Sequence, residues 1–287
     1  MTPSPAEIAA AFTAACLDEL DAPKPGNVHH YASGHRMTAD DFVRSAAAAA
    51  RPLAQHGARV GARILAAVEA TSAAVGANTN LGIILLAAPL AAAAERGGTD
   101  LRAALTGVLA TLDVEDASLA FRAIVGAAPG GLGRAERHDV FAPATVTLRQ
   151  AMAEAADRDR IARQYASDFD DVFTQGNPAL TQALAHAWPL RWATVAVYLA
   201  FLAAFPDSHI LRKHGAAVAE DTRRKAEGFR ARLHASERPE QLLADLLAWD
   251  SALKRENINP GTSADLTVAT LFAHRLNEHL PPRTISD

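Results

Sequence analysis

Apolar residues recur at intervals of three and four along almost the whole of this 287-residue chain, while alternating apolar and polar runs bounded by turn residues are nearly absent. Intervals of three and four place side chains on one face of a 3.6-residue helix, whereas a half-buried strand needs a period of two. The chain is therefore expected to be all-α. Helices are predicted at 5–20, 39–56, 58–75, 82–96, 100–111, 114–127, 146–174, 178–187, 190–205, 212–234, 240–255 and 264–279. The first must end near Lys24, because Pro25 disfavours the helical conformation in the residue before it. Thr38 with Asp41 three residues on forms an acidic capping box for the second, and Thr262 with Asp265 has the same form for the last. With no internal repeat and no linker, a single compact multi-helix domain over residues 1–287 is expected.

Composition narrows the function classes. Basic and acidic residues number 28 and 32, giving a net charge of -4 without a long run of either sign, so no nucleic-acid footprint is expected. Cys16 is the only cysteine, which excludes an internal disulfide and fits a reducing compartment. The N-terminus lacks the pattern of a signal peptide, and the most apolar stretch, Leu81 to Ala94, is too short to span a bilayer. A cytoplasmic protein that enters no membrane is the expectation. Alanine runs at 46–50 and 91–94 permit close helix packing, within one chain or in a homodimer.

Chemistry in a helical scaffold belongs at helix ends and broken turns, and four polar segments interrupt this chain. In KPGNVHHYASGH, Pro25 holds Lys24 extended and Gly26 allows close backbone approach, with Asn27, His29, His30 and His35 nearby. This reads either as a lysine set against phosphate or as an exposed turn. In VGANTNLG, Asn78, Thr79 and Asn80 precede Gly82 and an apolar helix, which suits both plain N-capping and anion binding at a helix start. In FPDSHILRKHG, Asp207 and His209 stand within about a turn of Arg212, Lys213 and His214, as a general base or metal-polyphosphate site or as a polar turn. In RENINPGTSADL, Asn259, Gly261, Thr262 and Ser263 lead to Asp265, which suits capping, phosphate binding or both. Asp159 with Arg163, and Asp168 with Asp171, are expected on the solvated face of one helix. Glu69, nine residues before Asn78, is a metal ligand only if it points inward.

Taken in order, KPGNVH, ADDFVRSA, VGANTNLG, PDSH with the following HG, and RENINPGTSADL resemble the triphosphoribosyl-dephospho-CoA synthase family over nearly the whole chain. That family carries a KPG-x-V stretch, a D-F-x-x-S-A helix, an NT-x-x-G turn, a GD-x-N turn and an N-x-x-PGG-SAD-L segment. The resemblance implies an all-helical fold and attack of an acceptor hydroxyl on C1 of a nucleotide ribose with loss of adenine. ATP would be the donor and the ribose 2'-hydroxyl of dephospho-CoA the acceptor. The departures make the chain similar to a sister branch of archaeal type. Asn80 and Leu81 stand where the synthases have histidine and lysine, Arg36 precedes Met37 in place of an acid, His209 replaces an asparagine, Arg212, Lys213 and His214 lie where SRGG runs, and Thr262 replaces a glycine.

Such a reaction concentrates negative charge beside a ribose with oxocarbenium character, and it calls for cations, helix starts and a magnesium ion, Mg2+. Donor and acceptor binding is accordingly expected at Lys24, Asn27, His29, Asn78, Thr79, Asn80, Gly82, Lys213, Asn259, Gly261, Thr262 and Ser263, and metal binding, read from their own positions, at Glu69 and Asp207. Asp207 is the first choice of general base, followed by His209 and Asp265. A β-linked donor and an α-linked product require one inversion, so no covalent nucleophile is needed. A ribitol hydroxyl of a tetrahydromethanopterin precursor is an alternative acceptor, by analogy of chemistry alone. Hydrolysis of an N-glycosidic bond and a non-catalytic nucleotide-binding protein are the rival classes.

Overall fold

The computed structural model describes residues 2–35, 37–130 and 133–281. Arg36, and Gly131 and Leu132 of the glycine-rich run, lie outside the described residues. Among the described residues the chain forms fourteen α-helices and no strand. They are α1 (Pro5–Asp21), α2 (Ala39–Leu53), α3 (Val60–Val75), α4 (Leu81–Arg96), α5 (Leu101–Ala110), α6 (Val114–Ala127), α7 (Leu148–Ala155), α8 (Arg160–Ala166), α9 (Asn177–Ala185), α10 (Leu190–Ala204), α11 (Ser208–His214), α12 (Ala216–His234), α13 (Leu243–Arg255) and α14 (Gly261–Glu278). A π-helical turn covers Val172–Gly176 and a 3-10 turn Pro239–Leu242.

Three helices buried on nearly every face make the centre. Residues 192–203 of α10 are buried without interruption, as are 83–91 of α4 and 266–273 of α14. An apolar helix such as α4 or α10 is stable only when neighbours cover every face, and α14, whose buried Thr267 and Thr270 donate to Ser263 O and Leu266 O, packs against α1, α4 and α10. Buried apolar residues from Ile8 to Leu280 form one continuous cluster. The alanine runs serve packing inside the chain: Ala46, Ala49, Ala50, Ala91, Ala93 and Ala94 are all buried. Among the described residues no single helix is long and apolar enough to cross a membrane.

Two long predicted helices are broken, and both breaks shape the site. The helix expected over 146–174 divides because Asp159 accepts hydrogen bonds from Ile161 N and Ala162 N, at 2.9 and 3.1 Å, and starts α8 afresh. Asp168 and Phe169 then take positive φ, a conformation that interrupts a right-handed helix. Asp171 is consequently buried against Arg160 and Gln164, with both Arg160 contacts at 2.7 Å, so the expected solvated acidic face does not exist. The helix expected over 212–234 divides at Gly215, where φ is 85°, and α11 begins earlier, at Ser208. The Thr38 capping box forms as expected. The second one does not: α14 begins at Gly261, which places Thr262 and Asp265 inside the helix.

Candidate active site

The KPG turn has a structural task that its composition did not reveal. Tyr198 Oη donates to Pro25 O at 2.7 Å, and Asp250 Oδ1 accepts from Gly26 N at 2.9 Å. Gly26 has φ 83°, and a Cβ there would lie 2.7 Å from Pro260 Cδ, so the turn docks directly on the start of α14. Lys24 is fully buried. Its ammonium donates to Glu19 O at 2.6 Å and Val28 O at 3.0 Å and pairs with Glu19 Oε1 at 3.1 Å. A buried ammonium needs all its protons satisfied, and these three partners do so from inside the turn. Lys24 therefore faces the core, and the expectation that it contacts phosphate is corrected. His29 is likewise buried, 3.3 Å from Asp250 Oδ1, with burial lowering its pKa. Asn27 is buried too but lines a cavity, its Nδ2 donating to Asn259 Oδ1 at 2.9 Å.

Asp207 is also corrected. Its Oδ1 accepts from His209 N at 2.9 Å and Ile210 N at 3.2 Å, capping α11. Its Oδ2 accepts from Ser263 N and Ser263 Oγ, both at 2.8 Å, capping α14. Burial pushes this carboxyl up while the four donors oppose the shift. A carboxylate saturated by four protein donors accepts neither a substrate proton nor a metal, and Ser263 is withdrawn from phosphate by the same contacts. Glu69 is exposed on α3 and is not among the residues lining the cavity that gathers the remaining candidates, so its expected metal role is corrected. Asn80 starts α4 without a side-chain capping bond, and its buried Nδ2 has no partner among the described residues.

The remaining candidates converge. A cavity of about 750 Å³ is lined by Asn27, Asn78, Thr79, Gly82, His209, Lys213, Asn259, Gly261, Thr262 and Asp265. Thr79 is positioned by Ser45 Oγ at 2.5 Å, Thr262 by Ser208 Oγ at 2.9 Å, and Asn78 accepts from Leu81 N at 3.2 Å. Asp265 rests on the first turn of α4, where a Cβ at Gly82 would lie 2.0 Å from its Oδ2. Only glycine leaves that space. No protein hydrogen bond reaches Asp265 among the described residues. Burial, then the charges of Asp207, Glu19 and Asp159, hold its carboxyl well above the ordinary range, with Arg212 opposing.

His209 packs on the start of α14, where a Cβ at Gly261 would lie 2.5 Å from its Nδ1. Burial, with Lys213, Arg212, His35 and His214 around it, lowers its pKa to about 3. The imidazole is therefore neutral and a weak base.

Much of the cavity was not singled out in the sequence. Residues within 128–130 and 133–140, between α6 and α7, line it, and Asp139 fixes the path of the second stretch by accepting from Ala135 N and Phe141 N, both at 2.8 Å. Arg134, Arg137, Arg158, Arg212 and Lys213 supply five cations to the wall, against the acids Glu19, Asp139, Asp159 and Asp265. Phe42, Phe121, Ile124, Met152 and Ile161 form its apolar side. The available signal was the run RAERHD behind a glycine-rich turn, which as a spacing resembles an ordinary charged loop.

Among the described residues no group of three or more His, Cys, Asp or Glu is placed to hold a metal ion. Magnesium in nucleotide sites is commonly held by phosphate oxygens and one or two carboxylates, and Asp159, whose Oδ2 lies 3.4 Å from Arg212, suits that smaller role beside Asp265.

A family model described as ATP:dephospho-CoA triphosphoribosyl transferase matches residues 5–284. A solved structure from Archaeoglobus fulgidus, presented as a candidate triphosphoribosyl-dephospho-CoA synthase, is 25% identical with a TM-score of 0.62; the match covers 80% of this chain and 95% of that one. A search of curated proteins found no match.

Proposed function

The chain belongs to the ATP:dephospho-CoA triphosphoribosyl transferase family, and on that premise we propose that its cavity transfers the triphosphoribosyl group of ATP to the ribose 2'-hydroxyl of dephospho-CoA. The acceptor oxygen forms a bond to C1 of the donor ribose as the bond from C1 to the adenine nitrogen breaks. Adenine leaves with that electron pair and takes up a proton, and the acceptor's proton passes to Asp265.

The observation that carries this reading is Asp265, a cavity carboxylate on which no donor among the described residues is directed, seated against Gly82. A carboxyl raised above its ordinary range is a better base near neutral pH, and proton transfer of this kind contributes about 10²- to 10⁴-fold. The arginines and Lys213 complement a triphosphate, and the apolar wall limits the water that would otherwise capture C1. Asp159 and the phosphate oxygens would hold magnesium, which supplies further charge neutralisation when bound.

The test is incubation with ATP, Mg2+ and dephospho-CoA, measuring adenine by chromatography and the product by mass spectrometry. Adenine and a triphosphoribosylated acceptor should appear together. Adenine released equally fast without acceptor would identify a hydrolase, and no adenine under any condition would remove the proposal.

A further inference from the structure

Two polar groups on α11 line the cavity without protein partners. His209 Nε2 is shielded from solvent and has no hydrogen bond among the described residues. Lys213, one turn further on, has no carboxylate partner among them, whereas Arg212 between the two is engaged by Gly130 O at 3.3 Å and Asp159 Oδ2 at 3.4 Å. Residues four apart on a helix present their side chains side by side, about 6 Å apart at Cβ. That is the scale separating the 5'-phosphate of a nucleotide from its ribose hydroxyls.

We propose that His209 and Lys213 read the ribose and the phosphate of one nucleotide, Lys213 as the cation on the chain of phosphates and His209 as the hydrogen-bond partner of a ribose hydroxyl. The inference rests on the cavity being a nucleotide site. The unpartnered Nε2 calls for a hydrogen-bonding group, and burial, with Lys213, Arg212, His35 and His214 nearby, favours the neutral ring, which bonds a hydroxyl as donor or acceptor. Phosphate is left to Lys213. Gly261 is required for the arrangement, because any side chain there would displace the ring.

The test is calorimetric titration of the full chain with ATP, 2'-deoxy-ATP, 3'-deoxy-ATP and AMP, each with Mg2+ and without acceptor. The wild type should bind one of the two deoxy analogues about tenfold more weakly than ATP, the scale of one neutral hydrogen bond. His209→Phe, which keeps a ring on Gly261, should bind ATP and that analogue equally, and His209→Gln should restore part of the difference. Lys213→Met should narrow the gap between ATP and AMP while the ribose discrimination persists. Equal binding of all three triphosphates by the wild type overturns the inference, as does discrimination that survives in His209→Phe with an unchanged melting temperature. If the wild type releases adenine but ignores the ribose hydroxyls, the inference alone fails. If it binds no nucleotide, the transferase reading fails with it.

Discussion

Replacing Asp207 separates a scaffold role from a catalytic one. In Asp207→Asn the amide oxygen retains the α11 cap at His209 N and Ile210 N, but an NH2 group then faces the backbone N–H of Ser263. The Ser263 hydroxyl can turn to accept; the buried N–H cannot, and one such orphan costs about 1–3 kcal/mol. Relief of the buried charge offsets part of this, leaving about 2 kcal/mol. Asp207→Ala removes the cap as well, a further 0.5–2 kcal/mol or so, and orphans both Ser263 donors, for about 4 kcal/mol in total. At this chain length 1 kcal/mol moves the melting temperature by about 2 °C, so Asn should lower it by about 4 °C and Ala by about 8 °C. Circular dichroism melts, paired with adenine release per folded molecule well below the transition, decide the matter. Turnover by Asp207→Asn should stay within about tenfold of wild type, against a loss of about 10²-fold or more for a missing general base. An Asn variant that melts like wild type yet has lost turnover on that scale would refute the reasoning.

Asp265→Asn should lower turnover by about 10²- to 10⁴-fold while raising the melting temperature at neutral pH. The sign follows from its raised folded-state pKa: any stability from this group is present below the unfolded value near 4 and lost as pH rises through the folded value, so the amide removes a penalty. Correspondingly, kcat/KM for adenine release should fall on acidification above the ordinary carboxylate range, and an acid limb at about 4 or below would sink the assignment. Gly82→Ala should reduce kcat more than about tenfold with the fold intact, since the new Cβ displaces the Asp265 carboxylate; unchanged kcat would show that its position does not matter. Lys24→Met should cost about 3–5 kcal/mol, the effect of leaving one partner of a buried ion pair alone, with the KM for ATP unaffected in whatever folds. A weakened KM with an unchanged melt would restore the phosphate role.

The helices were legible because their signal is local. Periodicity placed α6 at 114–127, where it is observed, and Thr38 with Asp41 fixed the start of α2. The errors fall where a distant partner decides. The helix start at Ser208 depends on a carboxylate that also serves Ser263, 56 residues away, and nothing in PDSH indicates that second use. Lys24 reads as a phosphate ligand until Glu19 and Val28 are seen closing round it.

This pattern explains how a family signal can be strong while the residues that carry it prove poor guides to the chemistry. Pro25, Gly26, Asp207 and Ser263 belong to the recognised motifs, and all four tie turns to helices: Pro25 to Tyr198 within α10, Gly26 to Asp250 within α13 and by close packing to Pro260 at the start of α14, and Asp207 with Ser263 across the starts of α11 and α14. Those ties bring Asn27, His209, Asn259 and Asp265 to one cavity, whereas most of its cations come from residues 134–158, which no motif covers. A motif fixed by backbone docking tolerates little change, because each of its groups meets a buried partner whose loss leaves an unsatisfied atom. Cations on a loop pair at the surface instead, as Arg137 does with Glu154 and Arg134 with Asp139, and can be exchanged without unfolding the chain. Replacement of the synthase-like lysine by Leu81, with Arg134, Arg137 and Arg158 supplying positive charge from another side of the same cavity, is the kind of redistribution that a scaffold held together elsewhere permits.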